Sequence, residues 1–226
     1  MTKDGPDSLQ VLFRKTVPVG FIDYLLRRQQ WIYEEAKQNC YGNSLWSEAE
    51  ARSMLGDTER AIFEHEMRKG AEKFGLKWEN ASHAGDNFNY VRISAGSFRL
   101  TGHRVPCPGY FVRRCVSRQQ NAAVNRFMDG YVLDGALSVP LPKLEAASAI
   151  NVYALHGTTV IDGKESQFLE LAAPDSELEG YHWKCGFLDL RQAYLADARK
   201  QKTSSNVEDK AQPKPRKQRR EEAKNE

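Results

Sequence analysis

A run of arginines in the middle of the chain is the first group of residues that could do chemistry. Residues 87–128 contain no aspartate, glutamate or lysine. The same stretch holds seven arginines: Arg92, Arg99, Arg104, Arg113, Arg114, Arg118 and Arg126. Because the guanidinium fork matches phosphate and carboxylate groups, this pattern predicts a basic face that binds nucleic acid or an acidic protein.

Internal pairing is a second interpretation of the same arginines. Residues 129–190 reverse the charge balance, with three lysines against ten acids: Asp129, Asp134, Glu145, Asp162, Glu165, Glu170, Asp175, Glu177, Glu179 and Asp189. If the two segments are neighbours in the fold, they neutralise each other in ion pairs that contribute little each. No RRM, zinc-finger or helix-turn-helix pattern accompanies the arginines, and the sequence leaves both interpretations open.

Two histidines suggest a different chemistry. His83 and His103 flank the start of the arginine-rich segment, and with Asp86 they could form the acid–base or metal cluster of a metal-dependent nuclease. The chain lacks a phosphate-binding P-loop, a dinucleotide fingerprint and a nucleophile elbow. We therefore expect no catalytic residue, metal or cofactor, and we keep a nucleic-acid-binding protein or nuclease as the alternative function.

A short segment near the N-terminus offers docking instead of catalysis. Residues 8–13 are SLQVLF, in which Gln10 precedes the pair Leu12–Phe13. A glutamine amide can hydrogen-bond in a small polar pocket, while leucine and phenylalanine fill an apolar cleft and contribute about 1.5–3 kcal/mol each. The competing interpretation is an ordinary first β-strand over residues 9–17.

This segment resembles the peptide that bacterial proteins insert into the replication sliding clamp, except that Gln10 stands two residues before Leu12 instead of three. In its size and in this segment, the chain is similar to the SocB family of replication-inhibitor toxins from bacterial toxin–antitoxin pairs. The resemblance implies a non-enzymatic inhibitor that blocks the clamp with Gln10, Leu12 and Phe13. It also implies an antitoxin partner that delivers the inhibitor to a protease.

Composition limits where the protein acts. No stretch approaches the roughly 20 apolar residues of a membrane span, and the start MTKDGP is unlike a signal peptide. The four cysteines, Cys40, Cys107, Cys115 and Cys185, have neither zinc spacing nor the density of a disulfide framework. We expect a cytoplasmic protein with reduced thiols and no membrane partner.

The N-terminal half of the chain has mainly helical periodicity, so helices must position many of the candidate functional residues. A helix is predicted over Val19–Lys37, and Ser47 with Glu50 forms a capping box for a second. A break at Gly56–Asp57 separates a third helix, which ends at Gly75. A further helix over Gly109–Met128 would present Arg114 and Arg118 on one face.

The remaining signals are strands. A hairpin is predicted from Phe88–Ile93 and Ser97–Thr101. The back half adds strands at Ile150–Leu155, Thr158–Ile161, Gln167–Leu171 and Tyr181–Phe187, a turn at Asp162–Gly163 and a helix at Leu188–Lys200. This order predicts an α+β fold, with a helical N-terminal half and an antiparallel β-rich C-terminal half, in one domain over residues 1–200.

The last residues differ in composition from the rest. Residues 201–226 hold eight basic and five acidic side chains and no aromatic residue. Such a segment buries too little apolar surface to offset its ordering entropy, which predicts a disordered basic tail. Because the tail carries a net charge of +3 and the whole chain is also +3, the domain itself is close to neutral.

Overall fold

The computed structural model describes residues 8–82, 89–133 and 136–211. The chain divides into two compact units, Met1–Arg191 and Gln192–Glu226. All strands and the candidate site belong to the first unit. The second unit contains the later part of the last helix, and residues 212–226 of the predicted tail lie outside the described residues.

Three helices open the first unit: α1 (Ser8–Thr16), α2 (Val19–Tyr41) and α3 (Glu48–Lys73). The first-strand interpretation of residues 9–17 is wrong, because Leu9, Leu12 and Phe13 have helical spacing and form one buried face of α1. The predicted break at Gly56–Asp57 is also wrong, since α3 runs through both residues. One interior glycine costs a helix only about 1 kcal/mol, which packing of α3 against the sheet offsets.

The predicted ends of α3 are confirmed. The side chain of Ser47 accepts a hydrogen bond from the backbone N–H of Glu50, and the Glu50 carboxylate accepts one from the backbone of Ser47. After α3, Gly75 has φ +70° and the N–H of Leu76 donates to the carbonyl of Ala71 at 2.9 Å. This left-handed glycine ends the helix and turns the chain into the first strand.

A six-stranded sheet has the order β1–β2–β3–β6–β7–β8. Its strands are β1 (Lys77–Ala81), β2 (Tyr90–Ala95), β3 (Phe98–Arg104), β6 (Ile150–Ile161), β7 (Lys164–Pro174) and β8 (Tyr181–Gly186). Only the β3–β6 pair is parallel; the other neighbouring strands are antiparallel. The α+β fold class is therefore confirmed, and the Asp162–Gly163 turn has the positive φ angles of a tight hairpin, 50° and 73°.

The predicted helix over Gly109–Met128 is wrong in its first part. Only α4 (Val116–Ala123) and a 3-10 helix (Val124–Tyr131) form there, and residues 105–115 are irregular. Gly109 has φ +83°, and the backbone N–H of Val112 donates to the hydroxyl of Tyr181 at 3.1 Å instead of to a helical carbonyl. This loop therefore runs from the end of β3 to the start of β8 before α4 begins.

The remaining elements are short, apart from the last. A small hairpin pairs β4 (Val132–Leu133) with β5 (Ala136–Leu137), and α5 (Leu141–Glu145) leads into β6. The last helix, α6 (Phe187–Ala211), buries Phe187 and Leu190 and extends eleven residues past the predicted end at residue 200. Among residues 8–82, 89–133 and 136–211, no helix combines the length and apolar character of a membrane span.

The two faces of the sheet contact different elements. On one face, Phe98 of β3 contacts Phe13 of α1, and His156 of β6 contacts Tyr33 of α2 and Phe63 of α3. The opposite face carries a second buried apolar cluster that includes Val105, Val112, Tyr153 and Leu155. The irregular loop and α4 cover this second face, which places them beside the end of β3.

Candidate functional site

A cavity of about 760 Å³ opens between α3, the end of β3, and residues 113–121. Five arginines line it, and two of the lining residues are acidic, Asp57 and Glu64. The arginines are Arg60 from α3, Arg104 from the end of β3, Arg113 and Arg114 from the irregular loop, and Arg118 from α4. We call this site the arginine cavity.

Arg104 is held in the cavity wall by α3. Its Nε donates to the carboxylate of Glu59, whose side chain is buried. One turn before Glu59, Gly56 lies beside this guanidinium, and a Cβ at Gly56 would be in van der Waals contact with Nη1 of Arg104, at 3.4 Å. A buried carboxylate loses its solvation, and the pairing with Arg104 compensates for this loss.

Arg113 and Arg118 form the part of the wall without a carboxylate. Nη1 of Arg118 donates to the backbone carbonyl of Arg113 at 2.6 Å, which sets the two residues side by side. Neither guanidinium makes an ion pair with any residue of the described ranges, whereas Arg114 lies 2.9 Å from the exposed Glu179. The two arginines therefore keep hydrogen-bond donors and positive charge for a bound anion.

Burial shifts the pKa values of two titratable groups in the cavity. Burial, helped by the charge of Arg118, holds the pKa of His103 well below its ordinary value, so the imidazole is uncharged at pH 7. Its Nε2 lies 2.9 Å from Oγ1 of Thr101, and its ring contacts the edge of Tyr153. Burial raises the pKa of Glu64, although Arg60 opposes the shift. The uncharged imidazole adds no charge to the cavity, and Glu64 is paired with Arg60 at 3.5 Å, so the remaining arginines dominate the charge of the cavity.

The structure divides the seven arginines of the sequence prediction. Arg104, Arg113, Arg114 and Arg118 converge on the cavity, and the other three lie elsewhere. Arg92 pairs with Glu79 at 2.8 Å, Arg126 lies 3.7 Å from Glu177, and Arg99 donates to the backbone carbonyls of Gly96 and Phe98.

Internal pairing accounts for only part of the arginine run. Among the described side chains, the acids of residues 129–190 pair with Arg114 and Arg126 of the seven. Arg92 and Arg104 pair with acids that come earlier in the chain, Glu79 and Glu59. Each sequence interpretation therefore describes some of the arginines.

The sequence prediction missed the contribution of α3. Arg60 and Glu64 lie one helical turn apart, 3.5 Å between Nη1 and Oε1, and both line the cavity. Their i, i+4 spacing was visible in the sequence as an ordinary surface pair. Nothing in that spacing shows that α3 lies next to a loop some 50 residues later in the chain.

The histidine cluster predicted from the sequence is not seen among the described residues. His83 and Asp86 lie outside them, and His103 is a buried part of the cavity wall. Within residues 8–82, 89–133 and 136–211, no three histidine, cysteine, aspartate or glutamate side chains are grouped as metal ligands.

The docking segment lies inside the protein. Leu12 is 8% exposed and Phe13 is fully buried, with its ring 5.1 Å from that of Phe98 in an edge-on contact. Nε2 of Gln10 donates to Sγ of Cys185 at 3.3 Å. A peptide that enters another protein's cleft must first be exposed, so clamp binding through these three residues requires α1 to leave the sheet.

Comparisons with protein-family models, with curated proteins and with solved structures found no match to this chain.

Proposed function

We propose that the arginine cavity binds the phosphate groups of a nucleic acid. The observation that carries this proposal is the pair Arg113–Arg118, two adjacent arginines that line one concave wall and have no carboxylate partner among the described residues. Arginine forks make bidentate, charge-assisted hydrogen bonds to phosphate.

The other residues of the cavity fit a phosphate ligand. Arg104 is already fixed by Glu59, so a ligand meets a guanidinium whose side-chain freedom is largely lost before binding. Glu64 is paired with Arg60 at 3.5 Å, so its carboxylate repels a bound anion less than an unpaired carboxylate would. His103 is uncharged and lies in the wall, where its role is to shape the cavity and not to add charge.

The clamp-inhibitor hypothesis stays a prediction. In this fold it requires an unfavourable step, the release of α1 from the sheet. Release of α1 would expose Leu9, Leu12 and Phe13, each of which contributes about 1.5–3 kcal/mol when buried. Binding to a clamp would first have to compensate for this loss. The arginine cavity needs no such rearrangement, and for this reason we place the proposed function there.

The test is binding of a labelled oligonucleotide, measured by fluorescence anisotropy at several salt concentrations. We expect affinity to fall steeply with salt, because each phosphate contact releases counterions with a log–log slope of about 0.7–0.9. The double variant Arg113→Gln/Arg118→Gln should bind at least about 10-fold more weakly. The slope of its log affinity against log salt concentration should be smaller than that of the parent by about one to two.

Matched controls separate the cavity from general charge. Arg99→Gln/Arg126→Gln removes the same charge from arginines outside the cavity and should change binding little. Poly-glutamate tests an acidic protein as the ligand. No retention of oligonucleotide at low salt, equal losses for both double variants, or equally tight binding of poly-glutamate would overturn the proposal.

A further inference from the structure

A second depression continues from the arginine cavity across the irregular loop. It shares Arg104, Arg113 and Arg114 with the cavity, and Tyr110 and Phe111 form its apolar side. These two aromatic residues are 53% and 50% exposed. We call this depression the aromatic groove. Large aromatic rings left half open to solvent beside an arginine without an ion pair among the described residues, Arg113, are typical of a binding surface and not of a core.

The aromatic side of the groove is held in place by one tyrosine. The ring of Phe111 is stacked on that of Tyr181, with centroids 5.3 Å apart and planes inclined by 27°. The Tyr181 hydroxyl accepts the N–H of Val112 at 3.1 Å and donates to the carbonyl of Tyr110 at 3.3 Å. Both neighbours of Phe111 are thereby tied to β8, so the orientation of its ring is set before any ligand arrives.

We propose that the aromatic groove binds an unpaired base of a single-stranded nucleic acid, stacked on Phe111, while the arginine cavity holds the neighbouring phosphates. This inference rests on the proposed function, because the arginines must bind the backbone of the same strand. The aromatic residues Tyr110 and Phe111 are followed, after Val112, by Arg113 and Arg114. Rings that can stack on a base therefore lie next to guanidinium groups that can donate hydrogen bonds to phosphate. Alternation of rings and cations is the pattern by which proteins hold single strands without reading their sequence.

Duplex nucleic acid fits this surface less well. In a duplex both faces of each internal base are covered by neighbouring bases, so Phe111 would gain no stacking partner unless a base left the stack. A purely apolar protein partner is disfavoured, since charged side chains line the groove: Arg104 and Arg114, which are paired with Glu59 and Glu179, and Arg113, which has no ion pair among the described residues. A flexible strand satisfies both halves of the site at once.

The experiment compares four labelled or competing probes on the intact chain. They are oligo-dT, oligo-U, a duplex of the same length, and long-chain polyphosphate, which carries phosphate without bases. Phe111→Leu removes the π face but keeps an apolar side chain, and Phe111→Tyr restores the ring. We expect Phe111→Leu to weaken binding of both strands by about 5- to 100-fold, and Phe111→Tyr to bind like the parent. Polyphosphate binding should stay within twofold.

Tyr41→Ala is the matched control, because Tyr41 is 47% exposed at the end of α2, outside both depressions. It should leave the affinity for every probe unchanged.

Tighter binding of oligo-U than of oligo-dT would identify RNA as the source of the strand, and the reverse would identify DNA. If Phe111→Leu binds the strands like the parent, or the duplex binds as tightly as the strands, the base-stacking inference is wrong while phosphate binding stands. If neither polyphosphate nor oligonucleotide binds, both proposals fail.

Discussion

Helix α1 and the irregular loop each present two adjacent large side chains, and the fold treats the two pairs in opposite ways. Leu12 and Phe13 are buried against the sheet, where Phe13 contacts Phe98 and Trp183. Tyr110 and Phe111 are half exposed. Residue type is therefore a poor guide to docking by itself, because the same chemistry serves the core in one place and the surface in the other.

Backbone geometry explains the difference. In α1, the spacing of Leu9, Leu12 and Phe13 puts them on one face of a helix, and a helix with an apolar face packs that face against another element. In the loop, Gly109 takes a left-handed φ and Tyr181 captures the next backbone groups. No regular element forms there that could direct Tyr110 and Phe111 inward.

The comparison is tested most strongly by removing one ring from each region. We expect Phe13→Ala to lower the free energy of unfolding by about 3–5 kcal/mol, because it leaves a cavity beside Phe98 and Trp183. Phe111→Ala should lower it by only about 0.5–1.5 kcal/mol, the contribution of one aromatic contact. Urea unfolding followed by circular dichroism measures both.

The two variants serve as controls for each other, since each removes the same atoms. Equal destabilisation would show that Phe111 belongs to the core, and the aromatic groove would lose its basis as a ligand surface. A Phe13→Ala protein as stable as the parent would show that α1 is loosely attached, and the docking hypothesis for Leu12 and Phe13 would regain support.

Local signals in the sequence predicted much of the fold. The capping box at Ser47, the glycine that ends α3 and the Asp162–Gly163 hairpin each depend on residues within a few positions. The predictions failed where a distant group decided the local structure. Residues 109–115 look helical by periodicity, but the hydroxyl of Tyr181, nearly 70 residues later, takes the N–H of Val112.

The candidate site was predictable only in part, for the same reason. An acid-free run of arginines is visible in the sequence, and four of its seven members line the cavity. Which four depends on the ion pairs that the fold forms, such as Arg92 with Glu79 across β1 and β2 and Arg104 with Glu59 of α3. These partners lie 13 and 45 residues away from their arginines, and composition carries no information about them.

Acid stability tests the packing of the sheet against the helices, because His156 is buried between β6 and the helices α2 and α3. Its Nδ1 lies 3.0 Å from the hydroxyl of Tyr33, and its ring is stacked on Phe63. Burial lowers the pKa of His156 from 6.5 to about 3. The unfolded chain therefore takes up the proton first, so this stabilisation is complete above pH 6.5 and is lost as pH falls toward 3.

We expect the free energy of unfolding to decrease by about 1.4 kcal/mol per pH unit below pH 6 from this group. His156→Gln keeps an acceptor for Tyr33 and removes the titration, so its curve should be flatter between pH 6 and 4. His65→Gln, at a half-buried position of α3, controls for loss of a histidine. Parallel curves for the parent and His156→Gln would place the acid sensitivity elsewhere.

The smallest expected effect concerns Gly56, which connects the stability of α3 with the opening of the arginine cavity. Alanine is about 1 kcal/mol more favourable than glycine inside a helix, and the new Cβ would lie 3.4 Å from Nη1 of Arg104, an ordinary van der Waals contact. Gly56→Ala should therefore raise the free energy of unfolding by about 0.5–1 kcal/mol.

The same methyl group occupies space in the cavity wall beside Arg104, and we expect it to weaken oligonucleotide binding by about two- to threefold through steric contact with bound phosphate. Gly130→Ala is a matched control, because a Cβ there meets nothing within 4 Å. A protein that is more stable and also binds more tightly would contradict this account. It would mean that the added methyl group holds Arg104 more firmly in its binding position. It would also mean that glycine at position 56 is not needed to keep the cavity open.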